Sequence, residues 1–187
     1  MTQVQFKAYL DSLTYDKYYQ DIECINHIGY AQSWKTWDNI KDLVDWTNKY
    51  VLDIGCFHGY FSFKALERGA TKVDGIDKNF EALQTAELIR KEIRTPHVFF
   101  INETANEAVK SDIHYDIALV LNIFHHIPDK DSFLKDLKAD KIIFEIDKED
   151  LPKIEEYCKI LVNKESHRPS AYTGDIPNRL VLLAEKK

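Results

Sequence analysis

A chain of 187 residues, 44% hydrophobic and 30% charged, is long enough for one domain with a sizeable core and ordinary for a globular protein. Its formal net charge of −6, with no run of lysine and arginine, demotes nucleic acid as a partner, because tight nonspecific binding needs a basic face. No stretch approaches the roughly 18 apolar residues of a membrane span. MTQVQFKAYLDSLTYD lacks a signal-peptide core, and three scattered cysteines without a CxxC pair suit a reducing compartment, so a cytoplasmic location is expected.

The first fifty residues read as helical. Trp34, Trp37, Ile40, Leu43 and Val44 recur at helical spacing, with Ser33 as the expected cap. The aromatic stretch Tyr15 to Ile22 is expected as a shorter helix. The period then changes. Tyr50–Ile54, Lys72–Ile76, His97–Ile101, Tyr115–Leu121 and Lys141–Ile146 are apolar runs of strand length. Helices are expected between them at Phe61–Arg68, Phe80–Ile93, Thr104–Lys110 and Asp131–Leu137, then at Leu151–Ile160. Gly69 can close the first as a left-handed cap, and Thr95-Pro96 stops the second. Leu180–Glu185 is a last strand, paired with an extended piece near Leu161–Glu165. The alternation predicts a doubly wound α/β fold: a mostly parallel sheet, helices on both faces, and an antiparallel last strand. The expected division is a helical extension or lid over 1–49 and the main domain over 50–187.

In an open α/β sheet, ligands sit at the carboxyl ends of the strands, where strand order switches. The first strand-to-helix turn is Asp53-Ile54-Gly55-Cys56-Phe57-His58-Gly59. Gly55 and Gly59 permit a sharp turn and close approach of a ligand, and the following helix offers its positive end. A dinucleotide site needs G-x-G-x-x-G. This turn is G-x-x-x-G with a carboxylate ahead of it, poor company for a pyrophosphate. An ammonium and a sulfonium suit Asp53, and a carboxylate suits the helix end; S-adenosylmethionine carries all three. Asp77, closing the second strand, can accept hydrogen bonds from both ribose hydroxyls.

VLDIGCFHGYFSFKALERGATKVDGIDKN resembles the nucleotide-binding half of class I, Rossmann-like S-adenosylmethionine-dependent methyltransferases. YDIALVLNIFHHIPD resembles their fourth-strand motif and KIIFEI their fifth strand. The resemblance runs from Tyr50 to the C-terminus and implies a seven-stranded sheet. It also implies that Asp53, Gly55 and Gly59, with Cys56 between them, meet the methionine part of the cofactor. Asp77, beside Lys78, would hold the ribose. Glu103, or else Asn102, would reach the adenine, with Thr104 next to it, and Asn122 would face cofactor or substrate. Phe57 stands where the family usually has a third glycine.

His125 and His126 are candidate general bases for taking a proton from the acceptor. The bland alternative packs one beneath the sheet, and alternation would make one catalytic and the other structural. No metal is expected, because neither Cys24 with His27 nor Cys56 with His58 forms a four-ligand set. Trp34 and Trp37 read as core of their helix, or as part of a lid that excludes water from the transfer. Arg168, Tyr172 and Arg179 precede the last strand, where substrates often enter, and surface solvation is the commoner reading for each. The expected function is methyl transfer from S-adenosyl-L-methionine to a small-molecule O or N nucleophile. The absence of N/D-P-P-Y after the fourth strand disfavours amino methylation of nucleic-acid bases. Three alternatives stand: a tRNA-modifying or other RNA-modifying enzyme, to whose carboxymethyl-transferring members the Trp-bearing helix and the GYFSF turn are faintly similar; a non-catalytic cofactor-binding subunit; and a nicotinamide-dependent oxidoreductase.

Overall fold

In the computed structural model, residues 3–166, 168 and 178–187 are described. The elements are α1 (Gln3–Ser12), α2 (Ser33–Ile40), β1 (Tyr50–Ile54), α3 (Tyr60–Glu67), β2 (Lys72–Asp77), α4 (Phe80–Glu92), β3 (Val98–Asn102), α5 (Ala105–Ala108), β4 (Tyr115–Leu121), α6 (Lys130–Asp136), β5 (Ala139–Asp147), α7 (Leu151–Tyr157), β6 (Cys158–Glu165) and β7 (Arg179–Lys186). The seven strands form one sheet in the order β3-β2-β1-β4-β5-β7-β6. Pairings are parallel as far as β5, and β7 runs antiparallel between β5 and β6. Strand order switches direction between β1 and β4, so a crevice opens at their carboxyl ends.

Each central strand feeds a core on both faces, which is why it reads as an unbroken apolar run. Leu52, Ala118, Val120 and Phe144 face a layer holding Phe124, Phe133 and Leu134. Val51, Val73, Ile117, Leu119 and Ile143 face the other layer, which includes Phe6, Leu10, Ile22, Trp37 and Trp46. The N-terminal residues thus share a core with the sheet.

The expected elements from Tyr50 onward form, with shifted ends. The largest shift is at Leu151–Ile160, where the helix stops at Tyr157 and β6 begins at Cys158. The N-terminal expectations need more correction. Tyr15 to Ile22 is not a helix, because its aromatic side chains are drawn to separate partners. The Tyr15 hydroxyl meets His58 Nε2 and Thr85 Oγ1, each at 2.7 Å, while Tyr18 bonds Asp11 and Tyr19 bonds Asn122. Ser33 does not cap α2. The residue before the helix is Gln32, in the left-handed region, and Ser33 is buried in the first turn. The cap comes from Asp21, which accepts from Trp34 N at 3.0 Å and from Gly29 N at 2.7 Å. Leu43 and Val44 lie beyond the end of α2. Trp37 is core and packs on Trp46 with ring centroids 5.3 Å apart, but Trp34 is 45% exposed.

Candidate functional site

Two cavities adjoin at the carboxyl ends of β1, β2 and β4. One, about 400 Å³, runs from Ile54 and Gly55 past Asp77 and Lys78 to Glu103 and Thr104. The other, about 340 Å³, is walled by Asp16, Tyr19, Gln20, Phe57, Asn122 and His125, among others. Gly55, Asp77, Lys78, Ile123 and His126 line both and mark the junction.

Asp77 is fixed at this junction by two backbone donors, Phe57 N to Oδ2 at 2.9 Å and Asn79 N to Oδ1 at 2.8 Å. Burial pushes its pKa up, and those donors work against the shift. Gly55 needs glycine twice over. Its φ is +73°, and a Cβ would come within 2.8 Å of the Ile123 side chain that walls both cavities. Gly59, at φ +81°, is required for a different reason: a Cβ there would strike the Phe100 ring at 2.6 Å.

Of the other expected residues, Glu103 and Thr104 lie on the larger cavity and Asn122 on the smaller. Asn102 does not join them; its Nδ2 donates to the Asp77 carbonyl at 2.9 Å. Asp53, Cys56 and Gly59 are buried under the turn and line neither cavity. Asp53 accepts from Ser62 Oγ at 2.6 Å. Complete burial pushes its pKa up to about 7; the Ser62 hydroxyl works against that and the Asp77 carboxylate adds to it. At the end of α3, expected to receive a ligand carboxylate, two N–H groups already have a protein partner. Gln20 Oε1 accepts from His58 N at 3.0 Å and Tyr60 N at 3.5 Å. Phe57 adopts φ 53° in place of the family's glycine and turns its ring against Tyr15 and Tyr19, at 5.7 and 5.6 Å.

The alternation expected of the two histidines does not occur. His125 and His126 lie in a short 3-10 turn, Phe124–His126, and both are exposed to the smaller cavity, with ring centroids 4.0 Å apart. Burial lowers the His125 pKa first. His126 and Arg179 lower it further, while Asp147 and Asp150 pull it back. His125 is therefore neutral near pH 7.

Arg168 is the largest departure from expectation. It is not solvated surface but 2% exposed, and it pairs with the fully buried Glu145 at 3.2 Å. Thr36 Oγ1 and Ser166 Oγ also donate to Glu145, at 3.0 and 2.7 Å. Arg179 is half-buried on the same cavity wall and pairs with Asp147 at 3.1 Å. Tyr172 lies outside the described residues. Sequence reasoning missed Asp16, Tyr19, Gln20 and Ile123 as wall residues. Glu145 alone carried a signal, as a charge inside KIIFEI that demands a buried partner. Among the described residues, no group of three or more His, Cys, Asp or Glu is placed to hold a metal ion, and no helix is long and apolar enough to cross a membrane.

Residues 52–139 match a family model described as a methyltransferase domain. A tRNA U34 carboxymethyltransferase of Nautilia profundicola is 29% identical over 62% of this chain and 39% of its own length. A ubiquinone biosynthesis O-methyltransferase of Citrobacter koseri is 35% identical over 46% of this chain and 36% of its own. The chain thus spans little more than a third of the length of these relatives. A crystal structure from Listeria monocytogenes, described as a candidate S-adenosylmethionine-dependent methyltransferase, superposes with a TM-score of 0.68 at 19% identity. It covers 83% of this chain and 99% of that one. The glycine turn at the sheet's switch point, the antiparallel last strand and the matched segment agree: residues 52–139, a little under half of the chain, match the methyltransferase-domain model, and the chain has the Rossmann-like fold of the S-adenosylmethionine-dependent methyltransferase structure.

Proposed function

We propose that this chain binds S-adenosyl-L-methionine and transfers its methyl group to a small-molecule O or N nucleophile. The observation that carries this reading is the pair of cavities meeting at Gly55 and Asp77, one reaching Glu103 and Thr104 and the other His125 and Arg168. The residues present fit the cofactor. The larger cavity offers Asp77 for the ribose hydroxyls and Glu103 and Thr104 for the adenine end. Lys78 stands at the junction, and Asn122 lies on the methionine side. Asp53, Cys56 and Gly59 serve from beneath, by shaping the turn. The bound cofactor would supply an electrophilic methyl on a sulfonium, which leaves the protein to align and desolvate the acceptor.

The residues around the smaller cavity are suited to that task. The N-terminal segment contributes Asp16, Tyr19 and Gln20 to its wall, as a lid over 1–49 would, and restricts water there. His125, neutral near pH 7, can take a proton from an acceptor hydroxyl at an imidazole nitrogen, and His126 is the second candidate. An amine or carboxylate acceptor needs neither. Scattered cysteines suit the cytoplasmic placement that belongs to the same proposal.

A second reading, RNA modification, is favoured by the relatives named tRNA U34 carboxymethyltransferase and by the exposed Trp34 next to cavity residue Ser33. Calorimetry with S-adenosylmethionine, S-adenosylhomocysteine and NAD tests the cofactor, and NAD binding alone would overturn the proposal. Labelled methyl donor with fractionated cell extract tests the acceptor. Label in small molecules is expected, label in tRNA moves the reading to RNA, and binding without transfer to any fraction marks a non-catalytic subunit.

A further inference from the structure

Arg168 and Tyr19, which both line the smaller cavity, carry hydrogen-bond donors without acceptors among the described residues. Arg168 Nη1 donates to Glu145 Oε2 at 3.2 Å and to Thr36 Oγ1 at 3.3 Å, and Nη2 donates to the Tyr19 hydroxyl at 3.2 Å. Its Nε–H is buried and has no partner among the described residues. A guanidinium only donates, so this N–H requires an oxygen from elsewhere. Its orientation is set, because Glu145 is itself fully buried and tied to Thr36 and Ser166.

Tyr19 repeats the pattern. Its oxygen accepts from Arg168 Nη2 and from Asn122 Nδ2, the latter at 2.9 Å. Both acceptor positions are then used, and no protein acceptor among the described residues takes the hydroxyl proton. Tyr19 and Arg168 line the same cavity. At the N-terminus of α3, the alternative home for a ligand carboxylate, Gln20 Oε1 accepts from His58 N and Tyr60 N, and Phe57 N is taken by Asp77.

We propose that Tyr19 Oη–H and Arg168 Nε–H together form a carboxylate subsite in the smaller cavity. Two ligands could bring that group: the amino-acid end of the cofactor, in which case the inference rests on the cofactor reading above, or the acceptor.

Tyr19→Phe removes the hydroxyl and leaves the ring. Calorimetry on the full chain compares S-adenosylhomocysteine with its decarboxylated analogue, S-adenosyl-3-thiopropylamine. Thermal shifts compare benzoate with benzamide, with and without saturating S-adenosylhomocysteine. The expected result is affinity for S-adenosylhomocysteine weakened about tenfold, the scale of one hydrogen bond to a charged group, with the decarboxylated analogue unaffected. A loss confined to the benzoate response assigns the subsite to the acceptor. Arg168→Lys keeps a charge for Glu145 while removing Nε–H, and should give the same pattern; if it fails to fold, Tyr19→Phe decides alone. Unchanged S-adenosylhomocysteine and benzoate responses in Tyr19→Phe overturn the subsite. A wild-type chain that binds no adenosyl ligand overturns the cofactor reading instead, and the benzoate arm without cofactor then decides the subsite.

Discussion

The sheet from Tyr50 to Asp147 and the segment before it are held together by different means. In the sheet, instructions are local. Asn79 caps its own helix by accepting from Ala82 N, and Asp129 does the same through Ser132 N. In the N-terminal segment the caps come from far along the chain. Two consecutive residues, Gln20 and Asp21, serve two different helices, α3 and α2. The difference teaches that α4 and α6 are capped from within the sheet unit, whereas the glycine turn before α3 is completed by Gln20 of the segment packed against it. The segment is held by long-range bonds to that unit, and it supplies Asp16, Tyr19 and Gln20 to the wall of the smaller cavity.

The largest expected effect comes from breaking the joint between the two. Glu145→Ala leaves Arg168 as an uncompensated buried charge, for a loss of about 3–5 kcal/mol. Urea unfolding would read this as a lower midpoint, with Thr36 and Ser166 also deprived of their acceptor. A loss below about 1 kcal/mol, the worth of an exposed pair, would mean that the joint is solvated and the comparison misdrawn.

The second effect depends on pH and acts at the other end of the segment. His58 is buried against Tyr15, and burial pushes its pKa from 6.5 down to about 3. The folded state therefore binds this proton less readily than the unfolded chain. The contribution is fully present above 6.5 and is lost as pH falls from there toward 3. Asp53 runs the opposite way. Its pKa is raised from 3.8 to about 7, so its contribution is present below 3.8 and lost as pH rises toward 7. Subtracting the urea stability of His58→Asn from that of wild type isolates the histidine. The difference should fall with decreasing pH by up to about 1.4 kcal/mol per unit. A flat difference between pH 6.5 and 4 would show that Tyr15 docks without help from a neutral His58.

These two sites also explain what could be read from the sequence. Val51–Gly59 and Asp77 announce themselves because the turn needs residue types that little else needs, and apolar runs in the sheet report burial on both faces. Tyr19, Gln20 and Asp21 have no such signature. Their partners Asn122, His58 and Trp34 are distant in the chain or fall outside any helical or strand period. Arg168 and Glu145 were half legible. A glutamate in a central strand must find a cation, but only the folded chain identifies which one. The histidine pair was misjudged because a 3-10 turn, unlike a strand, sends neighbouring side chains the same way.

Asp77→Ala tests the proposed cofactor half; it also frees the N–H of Phe57, whose ring packs on Tyr15 and Tyr19 of the docked segment. Losing the proposed acceptor of ribose hydroxyls should weaken S-adenosylhomocysteine by about tenfold to a hundredfold, at about 1.5–3 kcal/mol for hydrogen bonds to a charged group. Calorimetry would measure it. Unchanged affinity would remove Asp77 from the site and leave it as the anchor of Phe57 and Asn79.

Asn79→Ala should have the smallest effect, and it sharpens the comparison most. The substitution removes a local cap, Asn79 Oδ1 accepting from Ala82 N at 3.1 Å, at a cost of about 1 kcal/mol. The freed N–H lies in the first turn of α4, where water can replace the side chain. Amide exchange should therefore quicken around residues 80–83 and nowhere else. Thr85, farther along the same helix, binds the Tyr15 hydroxyl and so touches the docked segment. If loosening α4 at its start also quickened exchange across residues 13–22, the segment would be sensing the helix as a whole rather than one hydroxyl. The two regions would then open as a single cooperative unit.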